Sequence, residues 1–126
     1  MSQPSQESPA GQESPAGQST PEEFFRTEMH VGRVVKAEEF PAARKPAYRL
    51  LIDFGPLGEK RSSAQITARY TLDELVGRLV VAVTNFPPRQ IATFMSEVLV
   101  LGVPDDEGEV ILLRPDADVA PGTRVF

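Results

Sequence analysis

The sequence predicts an all-β fold with short helices, built as a small Greek-key barrel. Three observations predict it. Runs of strand-forming residues recur over 31–39, 47–54, 59–65, 78–85, 97–103 and 109–114. Proline- and glycine-bearing segments separate them. Only two short stretches carry helix-start signatures, Thr20-Pro-Glu-Glu23 and Thr71-Leu-Asp-Glu74, each pairing a threonine with a glutamate three residues on.

The 126 residues allow one domain with a single modest core. Residues 1–19 repeat Glu7-Ser-Pro-Ala-Gly-Gln12 as Glu13-Ser-Pro-Ala-Gly-Gln18 and hold no large apolar group beyond Met1. Nothing there offsets the entropy of ordering, so a disordered tail is expected, with the domain over 20–126. A first helix is expected over 21–28, carrying Phe24 and Phe25. The first three strands then form an antiparallel meander, with Gly55-Pro-Leu-Gly58 as the second turn. A short helical connection over 71–77, ending at Gly77, leads to the fourth strand. Asn85-Phe-Pro-Pro88 forbids its continuation, because proline has no N–H for the ladder. A polar and aromatic loop runs to Glu97. The fifth and sixth strands flank a hairpin loop at Asp105-Asp-Glu-Gly108, and 123–126 is expected as a short final strand. A meander followed by a helical connection between strands three and four is the order of an OB-fold. A mixed sheet packed on one helix is the alternative.

Leu79-Val-Val-Ala-Val83, Val98-Leu-Val-Leu101 and Val110-Ile-Leu-Leu113 do not alternate apolar with polar residues, as barrel strands should. Apolar outer faces need cover. A two-fold homodimer supplies it, with Phe24, Phe25, Val98, Val100, Val125 and Phe126 as the expected interface. Alternatively the phenylalanines and the C-terminal segment fold back within one chain.

Composition removes several function classes. There is no cysteine and a single histidine, His30, so thiolate and histidine metal centres are excluded, and no cofactor is expected. No apolar run approaches membrane-spanning length, and the N-terminus lacks the basic and apolar regions of a secretory signal, so a cytoplasmic protein without membrane insertion is expected. Ser62 and Ser63 have no base at a recognisable spacing. Glu38-Glu39 and Asp105-Asp106 are sequence neighbours that point apart in strands and loops. No catalytic residue is assigned, and the chain is not expected to be an enzyme.

Charge is polarised within a net −5. Residues 33–69 hold eight cations against four carboxylates, and 97–126 hold two against seven. In an OB-fold, cations on the first three strands can hold a nucleic-acid backbone, which singles out Arg33, Lys36, Arg44, Lys45, Lys60 and Arg61. The other candidate site joins the end of the third strand to the polar loop: Ser62, Ser63, Gln65, Asn85, Arg89, Phe94, Ser96 and Glu97. Its amides, hydroxyls and guanidinium beside Phe94 and Met95 suit an extended polypeptide backbone with varied side chains.

Val31-Gly-Arg-Val-Val-Lys-Ala37, Lys45-Pro-Ala-Tyr-Arg-Leu50, Ile52-Asp-Phe-Gly55, Ser62-Ser-Ala-Gln-Ile66, Val83-Thr-Asn-Phe-Pro-Pro-Arg-Gln-Ile91 and Ser96-Glu-Val-Leu-Val-Leu101 closely resemble the CsaA family of secretion-associated chaperones. That family lies within the tRNA-binding-domain OB-fold group. The resemblance covers about 21–126. Phe86-Pro-Pro-Arg-Gln90 and Ser62-Ser-Ala-Gln65 mark the subgroup, whereas Val31-Gly-Arg33, Asp53-Phe-Gly55, Asn85 and Ser96-Glu97 are similar across the wider group. The resemblance implies a homodimeric OB-fold, an export-related chaperone that binds unfolded or preprotein polypeptide; the sequence shows no phosphate-cradling glycine loop, so such a chaperone is expected to be ATP-independent. Its domain name implies tRNA as the alternative ligand.

Overall fold

The structure, a computed structural model, describes residues 17–126. The repeat at 7–18 and the expected tail therefore lie almost wholly outside the described residues. A short helix α1 (Pro21–Arg26) opens the fold, held by the capping box of Thr20 and Glu23. None of its residues is buried. Strands β1 (Met29–Glu39), β2 (Tyr48–Asp53) and β3 (Glu59–Ala64) form the expected meander. Between β2 and β3 the chain makes one tight turn, with Gly58 at φ 86°. Helix α2 (Leu72–Leu75) has the Thr71–Glu74 capping box, and Gly77 follows at φ 91°, a left-handed stop.

Strand β4 (Leu79–Val83) pairs with the first half of β1, opposite to where β2 pairs with its second half. A kink makes this sharing possible: the β1–β2 register shifts between Val34 and Lys36. The polar stretch after β4 is more ordered than the expected loop. It folds as a hairpin of β5 (Arg89–Ile91) and β6 (Phe94–Ser96). The expected fifth strand is divided. Its first part, β7 (Leu99–Val100), pairs with β4, and β8 (Gly102–Pro104) turns away to pair with β9 (Val110–Leu112). The final strand reduces to one antiparallel bridge, His30 with Arg124.

The main sheet runs β3-β2-β1-β4-β7, and every ladder is antiparallel, which excludes the mixed-sheet alternative. The free edge of β3 is then tied to the segment entering β7. Glu97 N–H donates to Arg61 O at 2.7 Å, Ser63 N–H to Ser96 Oγ at 3.0 Å, and Ser62 Oγ to Val98 O at 3.1 Å. These bonds nearly close the sheet into the Greek-key barrel of an OB-fold, with the β3 edge blunted rather than left unpaired.

Val34, Leu50, Ile52, Phe54, Val80, Ala82, Val98 and Leu112 fill the barrel, and Leu75 of α2 plugs one end. Gly32 passes so close to this core that an added Cβ would stand 2.5 Å from Ile52 Cγ2. The glycine is there for close backbone approach. Tyr48 donates its hydroxyl to Tyr70 O at 2.8 Å, and burial pushes its phenol pKa up, which keeps it a donor. Among the described residues no helix is long and apolar enough to cross a membrane.

The two-faced character of β4 needs no partner: Leu79, Val80, Ala82 and Val83 are all buried within one chain. On β7 the alternation corrects the expected interface. Val98 and Val100 pack on the core, and Leu99 between them faces outward, 48% exposed. The exposed large apolar residues include Phe24, Phe25, Leu99, Val103, Leu113 and Phe126, while Val125 is half-buried.

Candidate ligand cleft

One wall of a wide surface cleft is the β1–β2 connection. Phe40 and Ala47 are buried at its two ends and anchor it, and Pro41 and Pro46 stiffen it. Its crest, Ala42 to Lys45, stands clear of the barrel. The opposite wall is the β5–β6 hairpin. Pro87-Pro88 turns the chain out of β4, and Arg89, Gln90 and Ile91 then pair with Ser96, Met95 and Phe94. Ala92 makes the hairpin turn at φ 53°, the one positive φ among the described non-glycine residues, and Gln90 Nε2 donates to Ala92 O at 2.8 Å. Ser63 and Gln65, at the end of β3, form the floor. Together these walls and floor enclose an open cleft of about 690 Å³.

The cleft is apolar at Ala42, Ala43, Ala47, Ile91 and Ala92, and polar at Ser63, Gln65 and Gln90. Its charged groups are Arg44, Lys45 and Arg89. A second, smaller hollow of about 150 Å³ lies beyond Ser63. Arg49, the cross-strand partner of Ser63, lines it with Lys36, Leu51, Arg61 and Phe94.

The structure therefore merges parts of two expected sites. Ser63, Gln65 and Arg89 of the polypeptide set join Arg44 and Lys45 of the nucleic-acid set. The remaining residues go elsewhere. Ser62 is fully buried and its hydroxyl is used on Val98 O. Ser96 is buried and accepts from Ser63 N–H. Glu97 accepts from Arg61 N–H at 2.9 Å and pairs with its guanidinium at 3.4 Å. These three close the barrel seam and do not line the cleft. Asn85 clamps the N-terminal segment, accepting from Glu28 N–H at 2.9 Å and donating to Arg26 O at 2.8 Å. Phe94 packs on Phe40 and lines the smaller hollow instead. Arg33 pairs with Asp118 at 3.0 Å, Lys36 with Glu38 at 3.5 Å, and Lys60 lies on β3.

The alanines of the crest carried no chemical signature in the sequence. Their signal was indirect, a proline at each end of a short loop. Gln90 was recognisable as a polar loop residue, but the hairpin that aims it was not. Among the described residues no group of three or more histidines or carboxylates is placed to hold a metal ion.

Residues 29–124 match the family model described as "Putative tRNA binding domain". The chain belongs to the tRNA-binding-domain family. Within that family it is similar to the chaperone CsaA from Bacillus anthracis, with 50% identity, a TM-score of 0.82, and 86% of this chain and 99% of the other covered. It is similar to the CsaA chaperone protein from Picrophilus torridus, with 46% identity, a TM-score of 0.81, and 86% and 100% covered. Among curated relatives, methionine–tRNA ligase of Porphyromonas gingivalis is 36% identical over 104 residues. That match takes in 82% of this chain and only 15% of the ligase. The tRNA-binding domain is thus shared with long synthetases and with short CsaA chaperones of nearly the same extent. The expected CsaA-like fold is borne out.

Proposed function

We propose that this tRNA-binding domain is a CsaA-like, ATP-independent chaperone of the cytoplasm. It holds unfolded or preprotein segments in the cleft between the β1–β2 connection and the β5–β6 hairpin, and serves export. The observation that carries the reading is the make-up of the cleft. Amide, hydroxyl and guanidinium groups surround small apolar side chains in an open trough. Such a surface bonds to an extended backbone and accepts varied side chains without demanding one sequence. Binding without a nucleotide cycle shifts the client away from aggregation by mass action alone.

The chaperone is proposed to act as a homodimer. Phe24 and Phe25 stack edge to face at 5.1 Å on a helix with no buried residue, and Phe126 is 95% exposed. Arg124 donates to Phe25 O at 2.8 Å, which holds the C-terminal segment beside α1. A two-fold contact through Phe24, Phe25, Leu99, Leu113 and Phe126 would remove this apolar surface from water.

Suppression of aggregation of an unfolding client, followed by light scattering, tests the site. Arg89→Ala with Ile91→Ser is expected to lose most of the suppression while the fold persists. Unchanged suppression would place the client elsewhere. The second reading, a tRNA-binding module, is favoured by the family description and by the cationic crest at Arg44 and Lys45. Its signature is an affinity that falls steeply with salt.

A further inference from the structure

The polypeptide reading leaves open which segments the cleft prefers, and the disposition of charge answers it. Five of the thirteen cations are neutralised where they stand. Arg33 pairs with Asp118, Lys36 and Arg49 with Glu38, Arg61 with Glu97, and Arg69 with Asp105 and Glu107. Arg44, Lys45 and Arg89 differ. All three are exposed, and among the described residues none makes an ion pair or a side-chain hydrogen bond. They come from two separate segments that the fold brings to opposite walls of one cleft, and no carboxylate lines it. In a chain of net charge −5, this is a local positive trough in a negative molecule.

We propose that the cleft selects acidic polypeptide segments, extended chains with Asp or Glu side chains interspersed among small apolar ones. This rests on the polypeptide reading and sharpens it. The acidic side chains would meet Arg44 and Lys45 on one wall and Arg89 on the other. The backbone would meet Ser63, Gln65 and Gln90, and the apolar residues would lie against Ala47, Ile91 and Ala92. Nucleic acid is also anionic, but its single strands need aromatic faces on which bases stack. No aromatic residue lines this cleft. The nearest one on the hairpin, Phe94, is engaged by Phe40 and Arg61. The wall chemistry therefore favours a polypeptide. Segments rich in lysine and arginine would be rejected by the same three groups, which gives the cleft discrimination as well as affinity.

The test is fluorescence anisotropy on the full chain. Three labelled peptides share length and apolar residues, with Glu, Gln or Lys at the variable positions. A labelled single-stranded oligonucleotide is the fourth probe. At low salt the Glu peptide is expected to bind roughly tenfold tighter than the Gln peptide, and the Lys peptide weakest, as for a few partly screened charge contacts. The R44Q/K45Q/R89Q variant is expected to bind Glu and Gln peptides alike. Because those side chains have no internal partners, its thermal midpoint is expected to match the parent. Equal affinity of the parent for Glu and Gln peptides would overturn the selectivity and leave polypeptide binding standing. A Glu preference that persists in the variant would overturn the assignment to these residues. Binding of the oligonucleotide with no peptide bound would overturn both the selectivity and the polypeptide reading.

Discussion

Phe94 of β6 meets Phe40 at the end of β1 edge to face, with ring centroids 5.4 Å apart. The guanidinium of Arg61 lies over Phe94 at 5.6 Å and that of Arg49 over Phe40 at 5.5 Å. The contact ties the hairpin wall of the cleft to the root of the opposite wall, so it sets the width of the site without facing the ligand. Phe94→Ala is expected to cost about 2 kcal/mol, less than a fully buried phenylalanine because the ring is half-exposed. Hydrogen exchange should show the added loss of protection concentrated at 89–96. Phe94→Leu should keep client affinity within a few-fold if the ring acts only through position, whereas a large loss would mean direct contact with the client.

The Ser62 hydroxyl is fully buried and donates to Val98 O. Ser62→Ala strips that carbonyl of its donor in a place water does not reach. The expected loss is about 1–2 kcal/mol in urea denaturation, with peptide affinity unchanged. A drop in affinity without a drop in stability would return Ser62 to the binding site.

Ala92 holds a left-handed backbone conformation that its Cβ disfavours. Ala92→Gly removes the clash at the cost of some entropy in the unfolded chain. The net expectation is a gain of roughly 0.5 kcal/mol, visible as slower exchange in the hairpin. Destabilisation would show that the Ala92 methyl packs more than its exposure suggests.

Two carboxylates, the half-buried Asp105 and the exposed Glu74, link stability to pH. The Arg69 guanidinium beside Asp105, helped by the N–H groups of Glu109 and Glu107, holds that carboxyl below its ordinary value. The backbone N–H and the hydroxyl of Thr71 do the same for Glu74. A carboxylate whose folded pKa is depressed contributes stability above its unfolded pKa and loses it as pH falls through the folded one. The unfolding midpoint should therefore be level near neutrality and decline below about pH 4. The difference between the parent and Arg69→Gln should be largest at neutral pH and shrink on acidification. A difference that grew in acid would contradict the assigned partners.

The barrel was legible because its determinants are local. Runs of strand-forming residues set the strands, and Thr20–Glu23 and Thr71–Glu74 set the caps. The β5–β6 hairpin was not legible because its turn is Ala92-Thr93, without the glycine or asparagine that normally marks positive φ. The break between β7 and β8 was hidden in a continuous apolar run, 98–103, that turns only because β8 leaves β4 to pair with β9. At the cleft, residue type singled out Ser63, Gln65 and Arg89, which line it. It could not separate them from Ser62, Ser96 and Glu97, whose polar atoms are spent inside the seam. That division depends on which side of β3 each side chain takes and on the barrel closing at 96–98. Both are tertiary facts.

The cleft is proposed to serve polypeptide before RNA. Side-by-side titration of a labelled unfolded polypeptide and labelled tRNA, each at low and high salt, tests it most directly. The polypeptide is expected to bind at both salt concentrations and R44Q/K45Q/R89Q to weaken it, while any tRNA binding is confined to low salt. Tight tRNA binding with a steep salt slope, and no measurable affinity for the polypeptide, would contradict it.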